Sequence, residues 1–365
     1  MPTQITGDPW QDFTGHEQLL VAFDQASGMQ AVIALHSTAL GPALGGVRMS
    51  LYADRPEPEM AARQDALRLS RAMTYKNALA GLSHGGGKGV IFGDPTNKSV
   101  EVLHAFGRLV SSLNGRYITA GDVGMSVADM DTIGQTCQWT TGRSPENGGI
   151  GDSGILTAVG VWQGMRAAAA HVWGTPELAA RRIGVIGAGK VGGRLIGHLI
   201  DEGAVVYVVD PSAAALTAVT TNYPQVQVMD STEQLLAIDL EVLSPNAMGG
   251  FVTMELAQTL STPLICGGAN NQLASPAVAD VLAVRGVLYT PDFLVNCGGV
   301  IQVAEELNGC DLERARARTM QVFGTTQQVL ARAQQEGSTP VAAAESLAED
   351  KIATGAFSEP GQQVV

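Results

Sequence analysis

One ten-residue stretch constrains the fold of this chain more than any other. Residues 183–192 combine a short β-branched strand with the pattern Gly-x-Gly-x-x-Gly and the start of a helix. In such a turn Gly187 permits the tight bend, Gly189 lets the backbone approach a pyrophosphate, and Gly192 lets the helix lie close to the strand. The pattern predicts a dinucleotide site built from Gly187, Ala188, Gly189, Lys190, Val191 and Gly192.

An acidic residue follows at the spacing that such a site requires. The next strand-like run, residues 205–209, ends in Asp210, 21 residues after Gly189. A carboxylate there can accept hydrogen bonds from the 2′-hydroxyl of an adenosine ribose. Pro211 and Ser212 come next, with no arginine beside them to bind a 2′-phosphate. The sequence therefore favours NAD over NADP as the cofactor.

The pattern of strands and helices indicates two α/β domains. The first part of the chain is mixed, with strand-like runs at 16–23, 31–36, 90–92 and 116–119 and a helix at 58–80. A polar, Gly-rich stretch at 142–154 is the expected connection. The second part alternates helices with β-branched runs, which is typical of a parallel sheet buried on both faces. These runs lie at 183–186, 205–209, 226–229, 240–243, 264–266 and 287–289.

Composition excludes several classes of protein. Hydrophobic residues make up 45% of the 365, so the chain can form cores, and a net charge of −13 disfavours nucleic acid as a partner. No apolar run is long enough to span a membrane, and residues 1–13 lack the features of a signal peptide. The four cysteines have no metal-ligand spacing, so we expect no metal and a cytoplasmic protein with reduced thiols.

Two lysines in the first domain stand in surroundings that do not suit a charge. The apolar stripe of the helix at 58–80 steps from Met73 onto Lys76, and Lys88 follows glycines 85–87. Burial and a second ammonium nearby both lower the pKa of a lysine, which can then accept a proton. Asp122, just after the strand at 116–119, offers a carboxylate that can take a proton from an ammonium group.

Two Gly- and Asn-rich stretches follow predicted strands of the second domain, at 267–272 and 296–299. Ligands of parallel sheets bind beyond the carboxyl ends of the strands. Asparagine amides there can hold a nicotinamide carboxamide or a substrate amino group. Cys297 lies in the second stretch with no histidine beside it, so we interpret it as a small buried thiol and not as a nucleophile.

Taken together, these residues resemble the amino acid dehydrogenases of the glutamate/leucine/phenylalanine/valine family, and most of all the bacterial valine and leucine enzymes. The resemblance covers residues 16–352 in unbroken order. It is carried by residues 37–48, 73–77, 85–88, 122–124, 128–131, 187–192, 268–272 and 295–300.

The resemblance implies reversible oxidative deamination of an L-amino acid to a 2-oxo acid and ammonia, with NAD as hydride acceptor. It implies that Lys76 binds the substrate carboxylate, that Lys88 activates the water attacking the imine, and that Asp122 exchanges a proton with the amine. The implied fold has an N-terminal α/β substrate domain, residues 1–148, completed by a C-terminal helix at about 335–355. A Rossmann-type doubly wound domain, residues 149–334, follows, with the active site in a cleft between them. We also expect a homo-oligomer.

The resemblance also implies the remaining site residues. The substrate would contact Leu44, Gly45, Gly46, Ala120, Asn271, Val300 and Val303, and the cofactor would also contact Thr157, Asn270 and Asn296. An apolar pocket disfavours glutamate and favours valine, leucine or isoleucine. L-phenylalanine or L-tryptophan is the alternative substrate, and a non-catalytic NAD-binding regulator is the alternative of another class. The chain departs from the family pattern at Asn246, where relatives usually have cysteine, and at Gly268 and Cys297, where they have alanine.

Overall fold

The computed structural model describes residue 13 and residues 15–355, which form two compact units. The first unit runs to Asp152 and also includes Val303–Cys310 and the residues from Lys351, while the second contains Ser153–Gln302 and Asp311–Asp350. Residues 1–12, on which most of the argument against a signal peptide rests, lie outside the described part. Within that part, no helix is both long and apolar enough to cross a bilayer.

The first unit is built on a five-stranded mixed sheet. Its strands are β1 (Gln18–Asp24), β2 (Met29–Ser37), β3 (Ala43–Ser50), β4 (Gly85–Phe92) and β5 (Tyr117–Gly121), in the order β1-β2-β4-β3-β5. As the sequence predicts, β1 and β2 form an antiparallel hairpin. Strand β3 lies parallel to both β4 and β5, so the ends of these three strands are brought together.

Helices cover both faces of this sheet. Helix α1 (Pro58–Leu79) buries Ala62 and Ala66 against Val32 and Val90 on one face. Helices α2 (Val100–Ser111) and α3 (Val127–Gly134) cover the other face, where their apolar residues pack against the strands. Members of this second core include Ile33, Val47, Ile91, Phe106, Tyr117 and Ile133.

The strand expected at 90–92 begins earlier, because glycines 85–87 and Lys88 form the first half of the buried strand β4. The neighbouring elements explain why glycine is needed in this strand. A Cβ on Gly86 would overlap the backbone nitrogen of Thr74 in α1, and one on Gly87 would lie 2.6 Å from the Tyr117 ring. Strand β3, which the sequence analysis did not predict, is similarly rich in glycine, with Gly45 and Gly46 at its centre.

The second unit has a six-stranded sheet in which every pairing is parallel. Its order, β11-β10-β9-β6-β7-β8, is that of the Rossmann fold, with the reversal of strand order between β6 and β9. Each of the six predicted runs overlaps one of its strands. These are β6 (Arg182–Ile186), β7 (Val205–Val209), β8 (Gln227–Val228), β9 (Val242–Pro245), β10 (Leu264–Ile265) and β11 (Leu288–Tyr289).

Helices that follow or alternate with these strands complete the chain. They are α4 (Gly154–Trp173), α5 (Gly192–Asp201), α6 (Ala213–Asn222), α7 (Thr232–Leu236), α8 (Met254–Thr259), α9 (Ala277–Val284), α10 (Asp292–Val295), α11 (Gly298–Glu305), α12 (Leu312–Met320), α13 (Val322–Glu336) and α14 (Pro340–Thr354). The C-terminal helix α14 was expected to complete the first domain, but up to Asp350 it belongs to the second unit. Val341 packs against the core of the parallel sheet, and Asp350 pairs with Arg332 of α13 at 2.7 Å.

Candidate active site

Lys88 and Asp122, which the sequence singled out, lie side by side in the first unit. Lys88 is on β4 with 4% of its surface exposed, and Asp122 directly follows β5. The Lys88 ammonium donates a hydrogen bond to Asp122 Oδ2 at 2.6 Å. Gly46 leaves the space for this pair, because a Cβ there would lie 2.8 Å from Asp122 Cβ and 3.4 Å from Lys88 Nζ.

A third charged residue, Arg48 of β3, joins the pair, although the sequence analysis assigned it no role. Its Nε donates to Asp122 Oδ2 at 3.1 Å, and its Nη1 donates to Asp65 Oδ2 of α1 at 2.7 Å. The Tyr52 hydroxyl donates to the same Asp65 oxygen at 2.8 Å. Side chains alternate along a strand, so residues 46 and 48 share a face. This alternation could be used to predict the position of Arg48 only if residues 43–50 were first recognised as a strand.

Burial and neighbouring charges shift both members of the pair. Burial lowers the pKa of Lys88; Asp122 opposes this, and the Arg48 guanidinium adds to it. Burial raises the pKa of Asp122, but Lys88 and Arg48 outweigh it and hold that pKa well below its ordinary value. The sequence analysis expected Lys76 to be the second cation beside Lys88, whereas the largest cationic influence comes from Arg48.

Lys76 lies half-buried in the last turn of α1. Its neighbour Asn77 fastens this end of the helix to the sheet, because Nδ2 donates to the carbonyl oxygens of Leu44 at 3.1 Å and Gly85 at 2.6 Å. The residues predicted to contact the substrate are divided between the units. The first unit contains Leu44, Gly45, Gly46, Lys76, Ala120 and Val303, and the second contains Asn271 and Val300.

The glycine-rich turn follows β6 at the reversal of strand order, where open parallel sheets bind ligands. Gly187 has a φ of 96°, and a Cβ there would lie 2.9 Å from Ala247 Cβ. A Cβ on Gly192 would overlap the Gly187 carbonyl oxygen. A Cβ on Gly189, by contrast, would meet no described atom within 4 Å. The turn therefore leaves open space at the glycine that the motif assigns to a pyrophosphate.

Asp210 is fixed at the end of β7 by two backbone groups. Its Oδ2 accepts a hydrogen bond from the Ala188 N–H, and its Oδ1 accepts one from the Ser212 N–H, both at 2.7 Å. The carboxylate is thereby held against the glycine-rich turn. A fixed negative charge at this position suits ribose hydroxyls as donors and repels an additional phosphate.

The asparagines of the two Gly- and Asn-rich stretches contact each other in the second unit. Asn296 is buried, and its Nδ2 donates to Asn270 Oδ1 at 2.7 Å and to the Gly268 carbonyl oxygen at 3.3 Å. Its Oδ1 is also buried and has no hydrogen-bond partner among residue 13 and residues 15–355, which makes it a candidate acceptor for a ligand amide. Thr157 Oγ1 donates to the Ser153 carbonyl oxygen, one turn earlier in α4.

Two of the departures from the family pattern are in contact with each other. Asn246 Oδ1 accepts a hydrogen bond from the Gly268 N–H at 2.9 Å. A Cβ on Gly268 would lie 2.9 Å from that oxygen and 2.7 Å from Val191 Cγ1. Asn246 thus occupies the room that a methyl group at position 268 would need. The third departure, Cys297, is buried, in line with its interpretation as a structural thiol.

Comparisons with known proteins identify the family of the chain. Residues 16–139 match the family model described as Glu/Leu/Phe/Val dehydrogenase, dimerisation domain. Residues 212–358 match the model described as Glutamate/Leucine/Phenylalanine/Valine dehydrogenase. The chain therefore belongs to the Glu/Leu/Phe/Val dehydrogenase family, and the expectations of a two-domain α/β fold and an amino acid dehydrogenase are confirmed.

Individual relatives cover nearly the whole chain. Valine dehydrogenase of Streptomyces coelicolor is 52% identical over 94% of this chain and 93% of the relative. Leucine dehydrogenase of Geobacillus stearothermophilus is 42% identical over 93% and 91%. The crystal structure of L-tryptophan dehydrogenase from Nostoc punctiforme superposes with a TM-score of 0.81 at 36% identity, over 93% and 96%.

Proposed function

We propose that this chain catalyses the reversible oxidative deamination of a branched-chain L-amino acid to a 2-oxo acid and ammonia, with NAD as hydride acceptor. The observation that carries the proposal is the buried Lys88–Asp122 pair. It lies in a chain whose 52% identical relative is a valine dehydrogenase. Valine, leucine and isoleucine are the candidate substrates, since Leu44, Ala120, Val300 and Val303 are all apolar and buried.

Each polar residue has a defined task in this reaction. Lys76 binds the substrate carboxylate. Asp122, ionised throughout the working pH range, accepts the proton that the α-ammonium must lose before hydride can leave Cα. Lys88, in its neutral form, takes a proton from the water that attacks the imine carbon. Asp122 then returns its proton to the departing amine.

NAD supplies the hydride acceptor when bound, and the second unit offers residues that fit it. The Gly187–Gly192 turn leaves space for the pyrophosphate, and the unpaired Oδ1 of Asn296 suits the carboxamide. Thr157, Asn270, Lys190 and Val191 belong to the same predicted site. Asp210 favours NAD over NADP, because its carboxylate would repel a 2′-phosphate.

The test is a panel of the twenty L-amino acids with NAD, followed through the absorbance of the reduced nicotinamide. We expect the branched-chain amino acids to have the highest kcat/KM. Faster turnover of phenylalanine or tryptophan would instead support the aromatic alternative, which the tryptophan dehydrogenase structure favours. A protein that bound NAD and oxidised none of the twenty would be a regulator, a class that the intact Lys88–Asp122 pair argues against.

We also propose a cytoplasmic homo-oligomer that binds neither nucleic acid nor membranes. The match of residues 16–139 to a dimerisation domain supports self-association. The four cysteines, all within the described residues, form no disulfide, which is consistent with a reducing compartment. Light scattering of the purified protein measures the subunit number directly.

A further inference from the structure

Arg48 contacts one member of the Lys88–Asp122 pair and a further carboxylate, Asp65. Its Nε and the Lys88 ammonium both donate to the same oxygen, Asp122 Oδ2, at 3.1 and 2.6 Å. These two donors anchor Oδ2, and the backbone N–H of Val123 also binds the Asp122 carboxylate. The position of Oδ2 therefore depends in part on where the Arg48 guanidinium is held.

A second carboxylate, Asp65, holds that guanidinium. Asp65 Oδ2 accepts hydrogen bonds from Arg48 Nη1 at 2.7 Å and from the Tyr52 hydroxyl at 2.8 Å, and Arg68 donates to Oδ1 at 2.7 Å. Tyr52 reaches this position with a φ of 51°, in the left-handed region that residues other than glycine rarely adopt. Such strain persists only where surrounding contacts maintain it, and it clusters at functional sites.

We propose that Arg48 is a positioning residue for the deamination, and that it holds Asp122 in a single orientation toward Lys88 while Asp65 holds Arg48. This inference rests on the proposed roles of Lys88 and Asp122. A guanidinium suits the task because its planar fork can bind two carboxylates at once, which an ammonium on a flexible stem does less well. Charges alternate along the resulting chain of contacts, Lys88–Asp122–Arg48–Asp65.

The charge of Arg48 also gives the proposal a pH signature. Arg48 lowers the pKa of Lys88, whereas Asp65 raises it. Removing Arg48 should therefore raise that pKa, and removing Asp65 should lower it. Oxidative deamination needs the neutral amine of Lys88 to take a proton from water. Its activity should therefore appear at higher pH without Arg48 and at lower pH without Asp65. The charged or titratable groups that act on the pair or on the carboxylate that holds Arg48 are Arg48 and Tyr52 from β3 and its following loop, Asp65 and Arg68 from α1, and Tyr117 from β5.

The experiment measures kcat, KM and the pH profile of kcat/KM with the best amino acid of the panel, in full-length protein. We expect Arg48→Gln to lower kcat about 100-fold and to raise the pH of half-maximal activity by about one unit. Arg48→Lys should keep the pH of half-maximal activity but lose about tenfold in kcat, because it retains charge without the fork. Asp65→Asn should move that pH downward. Arg63→Gln, an exposed arginine two residues before Asp65 on α1, is the matched control.

The outcomes separate this inference from the proposed function. If Lys88→Ala and Asp122→Asn keep wild-type kcat, the catalytic assignment fails, and the Arg48 proposal fails with it. If those two variants are inactive while Arg48→Gln matches Arg63→Gln in kcat and pH profile, only the Arg48 proposal is overturned. A loss of thermal stability in Arg48→Gln with unchanged kcat and pH profile gives Arg48 a structural role alone and also overturns it. If Arg48→Gln does not fold, the other two variants decide. Wild-type kcat in Arg48→Lys, or a pH of half-maximal activity that does not move downward in Asp65→Asn, contradicts the proposal.

Discussion

The candidate sites of the two units are built from different kinds of chemical groups. In the first, four charged side chains from β3, β4, α1 and the end of β5 are buried or half-buried in mutual contact. In the second, the predicted cofactor site consists mainly of glycines, backbone N–H groups and neutral amides, with Asp210 and the exposed Lys190 as its charged side chains. Buried charges depend on every partner, whereas a glycine turn depends mainly on the space it leaves. Substitutions in the first unit should therefore impair chemistry, and those in the second should impair binding.

The largest effect is expected for Lys88→Ala. Loss of a general base typically lowers kcat by about 10²–10⁴-fold, and burial makes this lysine hard to replace by solvent. The affinity for NAD should stay within about twofold, because Lys88 belongs to the first unit. Stopped-flow turnover and fluorescence titration with NAD measure the two quantities. Lys88→Arg keeps a cation that cannot lose its proton and should be equally inactive, so wild-type turnover in either variant would remove Lys88 from the mechanism.

Two glycine-to-alanine substitutions compare the units directly. Gly46→Ala places a Cβ 2.8 Å from Asp122 Cβ, so we expect kcat/KM to fall about 10–100-fold with NAD affinity retained. Gly189→Ala meets no described atom within 4 Å, so the melting temperature of the free protein should not change. If the pyrophosphate lies there, NAD affinity should still fall about tenfold. Unchanged NAD affinity in Gly189→Ala would argue against a pyrophosphate bound at the Gly187–Gly192 turn.

Asp210→Ala should weaken NAD binding by about tenfold, since ribose hydroxyls and the Ala188 N–H lose their common acceptor. Asp210→Asn keeps the shape of the side chain and removes its charge. This variant should therefore raise the affinity for NADP relative to NAD. Equal ratios of the two affinities in Asp210→Asn and wild type would show that the charge does not select the cofactor.

The smallest effect concerns the contact between Asn246 and Gly268. Gly268→Ala should raise the KM for NAD a few-fold, because the new methyl group meets Asn246 Oδ1 and Val191 Cγ1. Asn246→Ala in the same chain should restore part of the loss. A double-mutant cycle is expected to give a coupling of about 0.5–1 kcal/mol. Additive effects would show that Asn246 and the residue at position 268 are not energetically coupled.

The two sites also differ in how well they could be predicted from the sequence. The turn at 187–192, the strand before it and Asp210 are local in sequence, and the sequence analysis predicted the position of each. The site in the first unit is not local. Strand β3 was missed because its four central residues include two glycines, and the strand character of Gly85–Gly87 is visible only beside α1 and Tyr117. For the same reason Lys88 and Asp122 could be named singly, while Arg48 could not.

The sequence by itself determined the family, the Rossmann order of elements and the residue types that handle protons, because these follow from periodicity and from short motifs. Only the tertiary structure decided which charges meet. Asp65 and Arg48, 17 residues apart, and Asp122, 74 residues from Arg48, become neighbours through strand pairing and helix packing. Electrostatic effects on a pKa act over a few ångströms. The pKa shifts at the site therefore depend on which side chains the fold brings together, and the distance between residues along the chain does not show this.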